Sequence, residues 1–218
     1  MPLALFDLDN TLLAGDSDYL WGQHLVEMGA VDKELYEHQN RKFYDDYRHG
    51  RLDIYEFLAF ALQPLAQYPM DQLKEWRETF VSEKITPIVL PQGQQLIQSH
   101  RDRGDFPVII SATNGFITQP IAQLFGVDDL VATELEVING QFTGQVSGTA
   151  CFREGKIERL EHWLETHDMT LTNSTFYSDS RNDIPLLDRV TCPVATDPDP
   201  ELRAHAKAHN WQVISLRD

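Results

Sequence analysis

A chain of 218 residues, 42% of them hydrophobic, is long enough to bury a large core, which excludes a disordered or fibrous protein. Its formal charge of −16, from 34 acidic against 18 basic side chains, repels nucleic-acid backbones and anionic bilayers. A phosphorylated ligand would therefore need locally placed Lys and Arg, or a metal ion.

The chain opens on Leu3-Ala4-Leu5-Phe6-Asp7-Leu8-Asp9-Asn10-Thr11-Leu12-Leu13, an apolar run broken by two carboxylates one position apart. This pattern predicts a buried parallel strand whose carboxyl end opens into a site, the end at which open α/β sheets bind ligands. Alternation along an extended backbone lets Asp7 and Asp9 approach one centre from the same side, where two like charges need a cation or a proton between them. A turn followed by a helix N-cap would give the same short pattern.

From there to about residue 85 the periodicity is helical. Leu20, Trp21, His24, Leu25 and Met28 make one stripe, with Ser17 or Asp18 as its N-cap. A second helix is expected from Asp32 to His49. A third follows Gly50 with Ile54, Phe57, Leu58, Ala61 and Leu65, and a fourth starts near Met70 with Leu73, Trp76 and Phe80. Four amphipathic helices with short connections predict a small bundle. Its aromatic residues, among them Tyr19, Phe43, Tyr44, Tyr47 and Phe57, read first as core, with an apolar ligand groove as the alternative.

From Pro87 the α/β alternation returns. A helix from about Gln92 to Arg103 leads into the strand Phe106 to Ile110, which ends in Ser111-Ala112-Thr113-Asn114-Gly115 before a helix from about Ile117 to Phe125. Small hydroxyl-bearing residues at a strand end and helix start can offer N–H groups and a hydroxyl to an anion, or simply cap the helix. Leu130 to Thr133 is a short strand, and Asn139-Gly140 between alternating apolar residues predicts a hairpin over Leu135–Val146 with a type I′ turn. Lys156 opens the next helix against its dipole, which hints at a negative partner. Thr175 to Ser178 is a strand ending in Asp179-Ser180-Arg181-Asn182-Asp183, a second acidic pair. Strand, helix and strand then follow at Val190–Ala195, Asp199–Asn210 and Trp211–Leu216. The order predicts a doubly wound parallel sheet.

Cys151 and Cys192 stand far apart without a CxxC spacing, so free buried thiols in a reducing compartment are expected. No Lys or Arg precedes the short N-terminal apolar run, and no apolar stretch approaches bilayer-spanning length. The expectation is a cytoplasmic monomer or homodimer with no nucleic-acid partner and no stable membrane association.

Carboxylate oxygens without His or Cys suit Mg²⁺, which takes one or two carboxylates and a phosphate oxygen. Asp7-Leu8-Asp9-Asn10-Thr11, Ser111, Lys156 and Asp179-Ser180-Arg181-Asn182-Asp183 occur in an order that resembles the four motifs of the haloacid dehalogenase superfamily of phosphohydrolases, subfamily IB, the phosphoserine-phosphatase-like branch. The resemblance spans nearly the whole chain. It implies a Rossmann-like α/β core, residues 1–15 and 86–218, with an α-helical cap over residues 16–85 and the hairpin as a small flap.

Position by position it also implies a Mg²⁺-dependent phosphomonoesterase acting on a small phosphorylated substrate. Asp7 would attack phosphorus to give an aspartyl phosphate, and Asp9 would serve as acid, then base. Ser111, Ala112, Lys156 and Asn182 would hold the phosphoryl oxygens, with Asp7, the Asp9 carbonyl, Asp179 and Asp183 around the metal. A phosphotransferase passing the phosphoryl group to an alcohol, or a phospho-accepting module without turnover, would share much of this set. The large helical insert and Asp9 stand against the module.

The branch holds an amino-acid head group with a cap acid and a cap arginine. Asp16 matches the acid, whereas Ala59, Phe60 and Ala61 occupy the region of the arginine, leaving Arg48 or Arg51 as substitutes. Asp16 and Asp18 would suit an amine-bearing head group, so histidinol phosphate competes with phosphoserine; for Asp18, capping is the simpler expectation.

Overall fold

Leu3, Leu5 and Ala4, Phe6 alternate between the two faces of strand β1 (Leu3–Phe6), and both faces are buried, which is why the strand reads as an unbroken apolar run. The computed structural model describes residues 1–217. After β1 come helices α1 (Ser17–Glu27), α2 (Lys33–Arg48), α3 (Ile54–Ala61), α4 (Gln63–Gln67) and α5 (Met70–Phe80). A π-helical turn over Val81–Ile85 leads back to the sheet. The rest alternates: α6 (Pro91–Asp102), β2 (Phe106–Asn114), α7 (Gly115–Phe125), β3 (Asp129–Thr133), the hairpin β4 (Leu135–Ile138) and β5 (Gln141–Val146), α8 (Glu154–Thr166), β6 (Thr175–Ser178), α9 (Ile184–Leu187), β7 (Cys192–Thr196), α10 (Pro200–His209) and β8 (Gln212–Ile214). Among the described residues no helix is long and apolar enough to cross a membrane.

The main sheet has the order β3-β2-β1-β6-β7-β8, parallel throughout. Thus β1 lies centrally between β2 and β6, so three strands separated in sequence end side by side. On one face Leu3, Leu5, Val108 and Phe176 pack against Leu160 and Trp163 of α8 and Leu202 and Ala206 of α10. On the other, Phe6 and Ile109 pack with Ile117 and Ile121 of α7, and the same cluster continues through Phe116 into Trp21, Leu62, Leu65, Trp76 and Phe80 of the inserted helices. Each of the large side chains lost from water there contributes about 1.5–3 kcal/mol, so sheet and insert share one core.

Several local expectations change. The strand stops at Phe6: the Leu8 carbonyl accepts the amides of Thr11, Leu12 and Leu13, and Asn10 takes φ 59°, which folds the chain back as a loop. The cap of α1 is Asp16, whose carboxylate accepts the Tyr19 amide at 2.8 Å, and neither Ser17 nor Asp18 caps it. Pro64 lacks an amide to continue α3, so Leu65 sits on a separate short helix. β2 runs on to Asn114, which caps α7 in place of Ser111 or Thr113. Asn139 and Gly140 both have positive φ, as a type I′ turn requires, and the hairpin lies against α3 and α4 with Gly144 close to the Leu62 carbonyl. Cys151 is buried as expected, but Cys192 is exposed at the start of β7.

The start of α8 is tightly built. A Cβ on Gly155 would stand 2.1 Å from the Ala150 carbonyl oxygen. Gly155→Ala is expected to lower unfolding free energy by about 2–3 kcal/mol, read by urea denaturation, because backbone must shift to admit the methyl group.

Candidate active site

The carboxyl ends of β1, β2 and β6 deliver the polar residues to one place. Asp7 follows β1 directly, held by its amide to the Tyr177 carbonyl at 2.9 Å. Lys156, 3% exposed in the first turn of α8, lies 3.0 Å from Asp7 Oδ1 and 2.8 Å from Asp183 Oδ1. The Thr11 hydroxyl is 3.1 Å from both Asp7 Oδ2 and Asp179 Oδ1 and accepts the Asp179 amide at 3.0 Å, so it ties the two strand ends together. Asp9 accepts the Ser17 amide at 2.6 Å and the Thr113 hydroxyl at 2.9 Å. Asp183 also accepts the Ser178 hydroxyl at 2.7 Å.

These groups open into a cavity of about 60 Å³ roofed by α1, α2 and α3. Asp7, Asp9, Lys156, Asn182 and Asp183 line its floor, with Ala112 and Thr113 at the side. Ser111 is fully buried behind that wall, its hydroxyl accepting the Thr113 amide at 3.1 Å. Asp16 and Asp18 both reach the cavity. So do Tyr19, Phe43, Tyr44, Tyr47 and Phe57, while Trp21, Trp76 and Phe80 form core; the aromatic stripe thus divides between groove and core rather than being all core. Arg48 and Arg51 do not line it, and Arg51 pairs with Asp46 at 3.3 Å.

Burial dominates the electrostatics. It pushes Asp7 up to about 7, with the Asp183 and Asp9 charges adding to the effect and Lys156 opposing it. Asp179 is raised well above the carboxylate range by burial, then by Asp7 and Asp183. Asp9 is raised by burial against the pull of its Ser17 and Thr113 hydrogen bonds. Burial alone would discharge the Lys156 ammonium, but Asp183 and Asp7 outweigh it and hold the proton on. The site is therefore short of positive charge. Its donor set is carboxylate and hydroxyl oxygen, which suits a hard divalent cation beside Asp7 and Asp179. Among the described residues no three acidic, His or Cys side chains close into a cage, and Mg²⁺ needs only one or two carboxylates when water and phosphate complete its shell.

Three participants carry no signal in residue type alone. Thr11 and Ser178 are common hydroxyls whose role appears only once the strand ends are adjacent, and Thr113, expected to face an anion or cap a helix, instead donates to Asp9. Arg153, at φ 51°, donates to Asn182 Oδ1 at 3.1 Å and to the Gly50 carbonyl at 2.6 Å, joining the floor to the helical insert.

The comparisons with known proteins agree with this geometry. The family profile described as haloacid dehalogenase-like hydrolase matches residues 4–188. The chain is 46% identical over 219 residues to a histidinol-phosphatase of Neisseria meningitidis, covering 99% of each. A solved structure of a protein of unknown function from Bordetella pertussis superposes with TM-score 0.93 at 42% identity, covering 99% of this chain and 98% of that one. A substrate-bound phosphoserine phosphatase superposes with TM-score 0.73 at 19% identity, covering 99% and 93%, which speaks for the fold alone. Matched over most of its length, the chain belongs to the haloacid dehalogenase-like hydrolases, in their phosphatase branch.

Proposed function

We propose that the protein hydrolyses the phosphate monoester of a small metabolite through an aspartyl phosphate on Asp7. The observation that carries this reading is the Lys156 ammonium seated between Asp7 and Asp183, at the floor of a cavity entered by Asp9 and Asn182. Asp7 has one oxygen on Lys156 and the other on Thr11, which fixes the carboxylate and leaves its face toward the cavity. Lys156 offsets the negative charge that builds on the transferring group. Asn182, immobilised by Arg153 and by its own Nδ2 on Ser180 Oγ at 3.2 Å, would hold a phosphoryl oxygen together with the backbone at Ser111 and Ala112.

Asp9 would protonate the leaving alkoxide and then take a proton from the attacking water. Burial favours its protonated form, which suits the first role, and the Ser17 and Thr113 contacts favour the carboxylate needed for the second. Mg²⁺, held by Asp7, Asp179 and the Asp9 carbonyl, with Asp183 a further ligand or orienting a ligand water, would neutralise phosphate charge when bound. Residues 16–85 would act as a cap over a catalytic core of residues 1–15 and 86–218. Histidinol phosphate is the first substrate to test, on the strength of the 46% identical relative, with phosphoserine second.

Purified protein with Mg²⁺ is expected to release phosphate from p-nitrophenyl phosphate and from histidinol phosphate. Asp7→Asn is expected to lower kcat by about 10³-fold or more, as loss of a covalent nucleophile does. Equal turnover by wild type and Asp7→Asn would rule out the covalent reading. Chelation by EDTA should abolish turnover and added Mg²⁺ restore it.

The same charge excess makes metal-free stability depend on pH. Folding raises Asp7 and Asp18 from 3.8 to about 7, so across that window the folded chain binds more protons than the unfolded one. Thermal melting of the metal-free protein should therefore drop as pH rises from about 4 to about 7, and Mg²⁺ should raise the melting temperature more at about pH 7.5 than at about pH 5.

A further inference from the structure

Of the two acids that begin α1, Asp16 is engaged as the N-cap, its carboxylate on the Tyr19 amide. Asp18 is not. Its carboxylate makes no hydrogen bond or ion pair among the described residues, although it lines the cavity, where it is partly exposed. An acceptor that lines the cavity and takes no donor from the protein is open to a ligand group.

A second acceptor stands in the same lining. Asn40 is 5% exposed, and its Nδ2 donates to the Tyr19 carbonyl at 3.0 Å. That bond fixes the orientation of the amide and leaves Oδ1 without a partner among the described residues. The fit is built in: a Cβ on Gly22 of α1 would stand 2.6 Å from Asn40 Nδ2, so only glycine gives the amide room. Aromatic faces complete the lining, with the Tyr19 and Tyr44 rings 4.9 Å apart and Phe43 and Phe57 5.5 Å apart.

Two acceptors without donors, set among aromatic rings, recognise a protonated or N–H-bearing group. Lys156 is the one cationic side chain lining the cavity among the described residues, and it is engaged at the floor. Arg153 is engaged by Asn182 and Gly50. A substrate bearing a carboxylate would thus meet Asp16 and Asp18 with no free cation to receive it.

We propose that Asp18 and Asn40 Oδ1, flanked by Tyr19 and Tyr44, form a cation subsite for the leaving alcohol, one that selects phosphate esters whose alcohol carries a protonated nitrogen. This rests on the phosphatase reading above and adds the residues that choose the alcohol. Asp18 and Asn40 take no part in bond cleavage; they position the alcohol and set selectivity.

The test compares wild type, Asp18→Asn and Asp18→Glu on p-nitrophenyl phosphate, phosphoserine and histidinol phosphate, with calorimetric binding of phosphate-free histidinol and thermal melting of each variant. Wild type should favour the histidinol ester in kcat/KM. Asp18→Asn should lower that value by about 10- to 100-fold, mainly through KM, and weaken histidinol binding by a similar factor, as loss of a charge-assisted contact does. Asp18→Glu should recover part of the loss. Asp18→Asn should melt close to wild type, because Asp18 makes no hydrogen bond or ion pair in the fold, whereas an acid that caps or pairs would cost stability when lost. Release of phosphate from p-nitrophenyl phosphate with no preference for the histidinol ester over phosphoserine, or with that preference unchanged in Asp18→Asn, overturns the subsite and leaves the phosphatase standing. No turnover of any of the three esters with Mg²⁺ overturns both.

Discussion

Carboxylates taken out of water repel one another unless positive charge stands between them, and in this chain Lys156 stands between Asp7 and Asp183. The three come from separate segments, 149 and 27 residues apart along the chain, and only the pairing of β1 with β6 and the approach of α8 bring them together. A buried ion pair gains little net stability once desolvation is counted. Its effect here is to fix where each carboxylate points. Thr11 extends the arrangement to Asp179, and the fully buried β1 beneath holds all of it to the sheet.

Much of this is legible in the residues. Apolar runs ending in acids or hydroxyls mark β1, β2 and β6, and in a parallel sheet such ends converge, so the strands and the floor of the site follow from pattern alone. Lys156 is a clear instance: a cation at a helix start opposes the dipole unless an anion compensates, and two carboxylates do. The hairpin turn at Asn139-Gly140 is equally explicit, because few residue pairs accept positive φ twice in succession.

What pattern does not carry is set by tertiary contact. Asp16 and Asp18 are both acids at a helix start, and either could cap α1; which one does depends on where the chain leaves the Asp9 loop. Ser111 looks like a surface donor at a strand end, yet β2 continues past it and leaves it under the cavity wall. The aromatic residues of the insert share one periodicity although some face the core and others the cavity. Period fixes a face, and only packing decides what that face meets. Arg153 is one of many arginines until a positive φ turns it toward Asn182 and Gly50.

The helical roof is fastened unequally. Near α1 and α5 it belongs to the main core through Trp21, Phe80 and Phe116, whereas the far end of α2 and the start of α3 meet the catalytic half through the small cluster of Phe43, Leu52 and Phe152, the Tyr47 ring on Phe152, the guanidinium groups of Arg153 and Arg181 at Gly50, and the hairpin. Local opening is easiest where the least apolar surface is at stake. Most of the apolar contact that joins roof to sheet lies at the α1 and α5 end, so the cavity is walled on one side by the main core and on the other by a smaller aromatic cluster that core packing does not share.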